Sequence, residues 1–563
     1  MRFVVAVVVV IIACSGVFAQ HAAAGMLENC MVVGELPLVV TRDAQCYQFK
    51  RDITYSPVDF SVPAIEWFGF GGELHFRGYT LTLDTADGGV RGIRVSDQAS
   101  LRVFDARLAA PELTYYDSRA FQVQDNATLE VYNADVNRVL TGCYAFDRSV
   151  LVIDGYQFRA TVNRRAPTYR VGYPFPQGVA VYALATATLS HLLIDVSQGD
   201  QPADTPGGLA AYSYGVTTYF QGTPEEALTK KPTILVRSSH IRAHSAIGVF
   251  TDQNLIVEDT TIELLPVLIF PGDIRPGPTI TGDFGYPVGV ALGLNAITAQ
   301  ATLRSVDIDM TDMTTDTESA GLAITATHGV DVDGLTVYGH SYLSDTDYVD
   351  GVLSRERQLG FITVTPWASG EDESPFLSPI RLRNVNLFAD DNTTVGVQVL
   401  SDSIVAFLFR MARTSITLER SSVVGGAVGV LTGSQSRQSV VVRDCDLSTS
   451  YYGFYAYNES RNQHIDASTF NLHCVGVYQD GGASELIVRD ASFEQNSVPY
   501  TFLGSDFTNA NPIDEGTTGV PCALAPFIYD SAQIGWLLRR RADPAAPRPS
   551  TLPPWMHTNP PKE

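Results

Sequence analysis

Four stretches near the carboxyl end decide the fold: ITLERSSV at 416–423, VVVRDCDL at 440–447, HIDASTF at 464–470 and LIVRDASF at 486–493. Each alternates apolar and polar residues, reaches a small or polar residue, and ends on an apolar one. Such a period of two marks a strand with one face buried rather than an amphipathic helix. The equivalent residues Leu418, Val442, Ile465 and Val488 stand 24, 23 and 23 positions apart. Return of one pattern at one spacing marks a structural repeat.

The same pattern recurs upstream: LRVFDARL from Leu101, LEVYNADV from Leu129, LVIDGYQF from Leu151, ILVRSSHI from Ile234 and LIVEDTTI from Leu255. It continues as ATLRSVDI from Ala301, VDVDGLTV from Val330 and IRLRNVNL from Ile380. Between copies lies a second signature, a glycine followed by alternating apolar residues: GVAVYA from Gly178, GVALGL from Gly289, GLAITA from Gly321, GVQVL from Gly396 and GVYQ from Gly476. Each repeat therefore holds at least two short strands. A leucine-rich repeat would need its own Leu and Asn pattern, and the strands of a sandwich would not return in one register. The reading is an all-β chain, a parallel β-helix solenoid. With strands ~4.8 Å apart, about thirteen coils make a rod on the order of 60 Å long.

These residues resemble the pectin-lyase-like right-handed parallel β-helix superfamily over roughly residues 86–505, and the resemblance is one of fold. CYQFKRDITYSP (46–57) and GELHFRGYTLTLD (72–84) look like the entry to such a repeat region. Many members of that superfamily are polysaccharide lyases, hydrolases or epimerases, but their motifs are not evident. A polygalacturonase-like site would carry Asn-Thr-Asp, Asp-Asp, Gly-His-Gly and Arg-Ile-Lys on successive coils. This chain offers Asp390-Asp391, Gly339-His340-Ser341 and Arg381-Leu382-Arg383 in another order. Catalytic residues are therefore not carried over.

The domain reading is a signal peptide at 1–19, an amino-terminal cap with first strands at 20–85, the β-helix with insertions at 86–505, and a wrapping segment with a Pro-rich disordered tail at 506–563. Arg2 followed by an apolar run and small residues before Gln20 suits export; cleavage before Cys14, leaving a lipid anchor, is the alternative. No later segment approaches ~20 uninterrupted apolar residues, so no transmembrane span is expected. Six cysteines remain after Cys14, an even number suited to an oxidising compartment. Cys30 with Cys46 could staple the entry, and Cys445 and Cys474 lie on neighbouring repeats. Asn126, Asn392 and Asn458 begin glycosylation sequons. A net charge of −23 argues against nucleic acid as a partner.

Repeat spacing lengthens mid-chain: Leu189 to Val236 is 47 residues, Val257 to Leu303 is 46 and Val332 to Leu382 is 50. Insertions in a solenoid become loops on its side, where function concentrates. The preferred substrate-binding residues are Tyr342, Tyr348, Trp367, Glu371 and Asp372, because rings lie flat on sugar faces while carboxylates bond hydroxyls. Asp347, Asp350 and Arg355 are the catalytic candidates, with Arg355 imagined as a base beside a metal. Asp307, Asp309 and Asp312 form a candidate calcium site, the first two sharing one strand face. The row Asp105, Asn133, Asp259, Asn384, Asp444 and Asp490 reads as turn residues. The expected function is a secreted or surface-exposed protein that binds extracellular polysaccharide or a cell-surface glycan, in an adhesin-like or structural role. A polysaccharide lyase or glycoside hydrolase is the alternative, and a homotrimeric surface rod is a third reading.

Overall fold

A computed structural model of the chain describes residues 30–84, 89–111, 118–160, 176–196, 214–219, 229–230, 232–250, 254–266, 289–294, 300–313, 319–324, 329–341, 360–364, 379–390, 394–400, 415–433, 439–456, 462–479, 485–502, 508–510 and 513–515. Among these residues 26 strands form one broad sheet and 16 form a narrow one, and every strand pair is parallel. The protein is a right-handed parallel β-helix. One coil runs from a narrow-sheet strand such as Arg119–Val123 into a broad-sheet strand such as Thr128–Asn137, and on to the next narrow-sheet strand, Thr141–Ala145. The ladder begins at Met31, inside the segment read as a cap, and its last described strand, Ile513–Glu515, lies beyond position 505.

Alternation produces the core directly. The apolar residues of the repeat point inward and stack coil on coil, as in Val131, Ile153 and Leu189, or Ile308, Val337 and Leu387, all of which are fully buried. Phe470 and Phe493 stack with centroids 5.3 Å apart in the same way. Each of these stacks removes apolar area from water at roughly 25 cal/mol per Å².

The fifth repeat position bends the broad sheet. Asp105, Asn133, Asp259, Asn384, Asp444 and Asp490 all have left-handed backbone conformation, with φ between 47° and 55°. Asp and Asn tolerate that conformation better than other side chains; Asp105, Asp444 and Asp490 stand between strands, whereas Asn133, Asp259 and Asn384 lie inside continuous strands. Immediately after the bend the repeat prefers a small residue, and the hydroxyls explain part of that preference. Ser239 Oγ accepts from the Leu192 amide at 3.2 Å and donates to the Arg237 carbonyl at 2.8 Å. Ser421 and Ser468, two coils apart, do the same.

The glycine signature is explained by close approach across the core. A Cβ on Gly453 would sit 2.6 Å from the Gly476 carbonyl oxygen and 2.5 Å from Phe470 Cδ1. At Gly453 no side chain fits between the narrow sheet and the apolar stack facing it.

Cys30 and Cys46 are joined by a disulfide, as expected from their position at the entry. Cys445 carries a free, buried thiol and is not joined to Cys474, which is disulfide-bonded to a partner outside the described residues. No helix among the described residues is long and apolar enough to cross a membrane.

Candidate functional site

The two sheets offer different surfaces. On the narrow sheet, Thr363, Gln398 and Tyr455 lie between inward-facing core residues and therefore point outward, yet they are 2%, 0% and 0% exposed. That face is covered from Thr363 to Tyr455, while nearer its ends Glu66, Arg94, Tyr144 and Tyr478 are half-buried. The outward residues of the broad sheet remain at least half-buried to exposed along most of its length, so this is the face open to a ligand.

One outward row of the broad sheet is a ladder of opposite charges, in register from coil to coil: Arg237, Glu258, Arg304, Asp333, Arg383, Glu419, Arg443 and Asp466. Arg304 lies 3.4 Å from Glu258, and Arg443 lies 3.3 Å from Asp466. Cross-strand pairing of this kind fixes register, each exposed pair contributing about 0–1 kcal/mol.

At its amino-terminal end the same row is aromatic. His75, Phe104 and Tyr132 stack on one another, with centroids 4.7 and 5.3 Å apart and planes within 9° and 13° of parallel. Beside them Arg102 bonds Glu73 at 2.6 Å, and the Tyr132 hydroxyl donates to Glu130 at 2.7 Å. Each inner ring face is spent on its neighbour.

The row at the carboxyl edge of the broad sheet differs. Its register runs Asp195, Arg242, Glu263, Asp309, Tyr338, Phe388. Arg242 is shared between Glu263 at 2.7 Å and Asp195 at 3.8 Å, which leaves the next two coils acidic. Tyr338 is 37% exposed and Phe388 is 44% exposed. Burial, a hydrogen bond to Asp309 and the charges of Asp309, Asp307 and Glu263 raise the Tyr338 phenol above its ordinary range. A phenol so placed stays protonated and can donate a hydrogen bond. Asp307 and Asp309 flank the buried Ile308, so both point outward as the alternation required.

At the same edge His340 is held between two acceptors, its Nδ1 2.8 Å from Asp390 and its Nε2 2.7 Å from the Met313 carbonyl. The chain then passes into residues 267–288 after the Glu263 strand and 342–359 after the Tyr338 strand. The arrangement is an exposed aromatic pair, one ring of which supplies a phenol donor, with carboxylate acceptors on the two coils before it.

Tyr342, Asp347, Tyr348, Asp350, Arg355, Trp367, Glu371 and Asp372 all lie outside the described residues. So do two of the sequon asparagines, Asn392 and Asn458, whereas Asn126 is exposed in a turn. The calcium candidates are placed but not gathered around a point. Asp309 Oδ1 accepts from the Thr311 amide at 2.9 Å and from the Thr311 hydroxyl at 2.7 Å, closing a turn. Among the described residues, the ligand atoms that converge within 4.8 Å of one another are those of Cys30, Cys46 and His75.

Sequence reasoning missed the Tyr338–Phe388 pair. Both residues hold the ninth place of their repeats, VDVDGLTVYG from Val330 and IRLRNVNLFA from Ile380, so extending the eight-residue repeat by one residue would have aligned them.

A scan against protein-family models and a search of curated proteins find no match for this chain. Among solved structures, the A-module of the mannuronan C-5 epimerase AlgE6 from Azotobacter vinelandii is similar over 84% of this chain and 91% of that one, at 9% identity and a TM-score of 0.23. The assignment as a parallel β-helix rests on the registered ladders described above.

Proposed function

We propose that this chain binds extracellular polysaccharide on the outward face of its broad sheet, at the edge formed by Glu263, Asp309, Tyr338 and Phe388. The observation that carries the reading is the pair of exposed rings on registered strands, set beside carboxylates. Sugar rings present C–H faces to aromatic side chains and hydroxyls to carboxylates, and this edge offers both. Its charge argues for a neutral polysaccharide, because uronates would meet Asp307, Asp309 and Glu263 at close range. The raised phenol favours binding over base catalysis, since a tyrosine acting as a base needs its pKa lowered.

The test is a titration of the mature protein with neutral and uronate oligosaccharides, alongside Tyr338→Ala and Phe388→Ala. Saturable binding of a neutral oligosaccharide, weakened at least about tenfold by either substitution, supports the proposal. Unchanged binding in both variants overturns the site. Release of reducing ends, abolished by Glu263→Gln or Asp309→Asn, replaces the binding role with hydrolysis by that carboxylate pair.

A further inference from the structure

We infer that the amino-terminal staple is also a latent zinc site, formed when the Cys30–Cys46 disulfide is reduced. Cys46 and Glu73 are register partners on adjacent strands, and His75 lies two residues beyond Glu73 on the same strand. The two sulfur atoms and a His75 ring nitrogen already lie within 4.8 Å of one another. The Glu73 carboxylate is 3.1 Å from His75 Nε2. The imidazole is oriented by stacking on Phe104 at 4.7 Å, and the Cys30 backbone is held by a 3.1 Å hydrogen bond from Gln48 Nε2 to its carbonyl. Two thiolates and one imidazole, three ligands of a tetrahedral zinc set, are brought together by the fold without movement of its strands, with Glu73 orienting the His75 ring and the fourth position left to water.

In the oxidised form neither sulfur is a thiolate, and His75 is engaged with Glu73. A thiol or phosphine reductant supplies two electrons, the S–S bond breaks, and each sulfur takes one proton. Zinc then displaces both thiol protons into solvent as the two Zn–S bonds form, and zinc itself is not oxidised or reduced. The coil entry would thus be stapled by the disulfide in one state and by the metal in the other. The thiols that are free in the oxidised form among the described residues compete poorly: burial pushes both Cys143 and Cys445 up to about 12, which keeps them protonated at neutral pH.

The test uses the full mature chain, oxidised or reduced with a phosphine, titrated with Co²⁺ as a spectroscopic probe and then with Zn²⁺. Expected is one equivalent of Co²⁺ in the reduced protein, with thiolate-to-metal charge-transfer absorption that Zn²⁺ bleaches. Binding to the oxidised protein should be at least about a hundredfold weaker. His75→Ala and Cys46→Ser should remove the charge-transfer band, and Glu73→Gln should weaken binding by about tenfold. Should reduction loosen the entry coils, fluorescence of Trp67, which is fully buried against Tyr47, provides a second readout. Zinc restoring its oxidised-state emission supports the site. Absence of any thiolate-to-cobalt band in the reduced protein, or a band of equal strength in His75→Ala, overturns it.

Discussion

The outward face of the broad sheet carries aromatic residues in two places, and they are used in opposite ways. At the amino-terminal end His75, Phe104 and Tyr132 stack along the coil axis, with Glu73, Arg102 and Glu130 tied to them or to one another. Near the middle, Tyr338 and Phe388 are also register partners, yet both are more than a third exposed, and the neighbour of Tyr338 on the preceding coil is the Asp309 carboxylate. The same lattice of parallel strands, ~4.8 Å apart, yields a closed surface where rings and charges satisfy each other. It yields an open one at Tyr338 and Phe388, whose rings stay more than a third exposed. The difference is one of composition along a row, not of backbone.

The largest effect that would separate the two places is on ligand binding. The double variant Tyr338→Ala/Phe388→Ala should lose about a hundredfold in affinity for a neutral oligosaccharide, each ring contributing about 1–1.5 kcal/mol. Its melting temperature should stay within about 2 °C of the parent, because neither ring is in the core. Calorimetric titration and thermal unfolding on the same samples check both halves.

Phe104→Ala should do the converse. Breaking the middle of the stack should lower unfolding stability by about 1–2 kcal/mol, read by urea titration, and leave binding unchanged. A loss of binding in Phe104→Ala would erase the distinction drawn between the two places.

Asp309→Asn sharpens the electrostatic part. With that carboxylate neutralised, the Tyr338 phenol should titrate closer to its ordinary value, followed by ultraviolet absorbance at alkaline pH. In the parent the phenol is raised, so it remains a donor through about pH 10 and ligand binding should not fall with its ionisation below that point. The smallest effect expected is for Arg304→Ala in the charge ladder. One exposed rung should cost less than about 1 kcal/mol, and that little should shrink further in high salt.

The fold was legible because a solenoid writes its geometry into the sequence repeatedly. Period-two alternation named the strands, and the return of Leu418, Val442, Ile465 and Val488 at near-constant spacing named the coil. The Asp and Asn row announced turns between strands; the structure has a left-handed φ at each of them, but Asn133, Asp259 and Asn384 bend a continuous strand instead of ending one. The glycine signature was visible as a pattern, but its cause, a carbonyl of the next coil and a facing core side chain, belongs to tertiary packing.

The candidate site was less legible. Asp307 and Asp309 were read correctly as sharing a face, since that follows from alternation alone. Their partnership with Tyr338 and Phe388 depends on register across 29 and then 50 residues, in which the unequal spacing obscures the count. Cys30 and Cys46 could be paired from proximity in sequence, whereas His75 reaches them only because the following coil stacks on theirs.

Hydroxyl-radical footprinting with and without a saturating neutral oligosaccharide tests the contrast between the two places most directly, because it reads both on one molecule. Protection of Tyr338 and Phe388 by at least about threefold, with Tyr132 and Phe104 unchanged, is the expected result. Protection of Phe104 and Tyr132 with Tyr338 and Phe388 unchanged would contradict it.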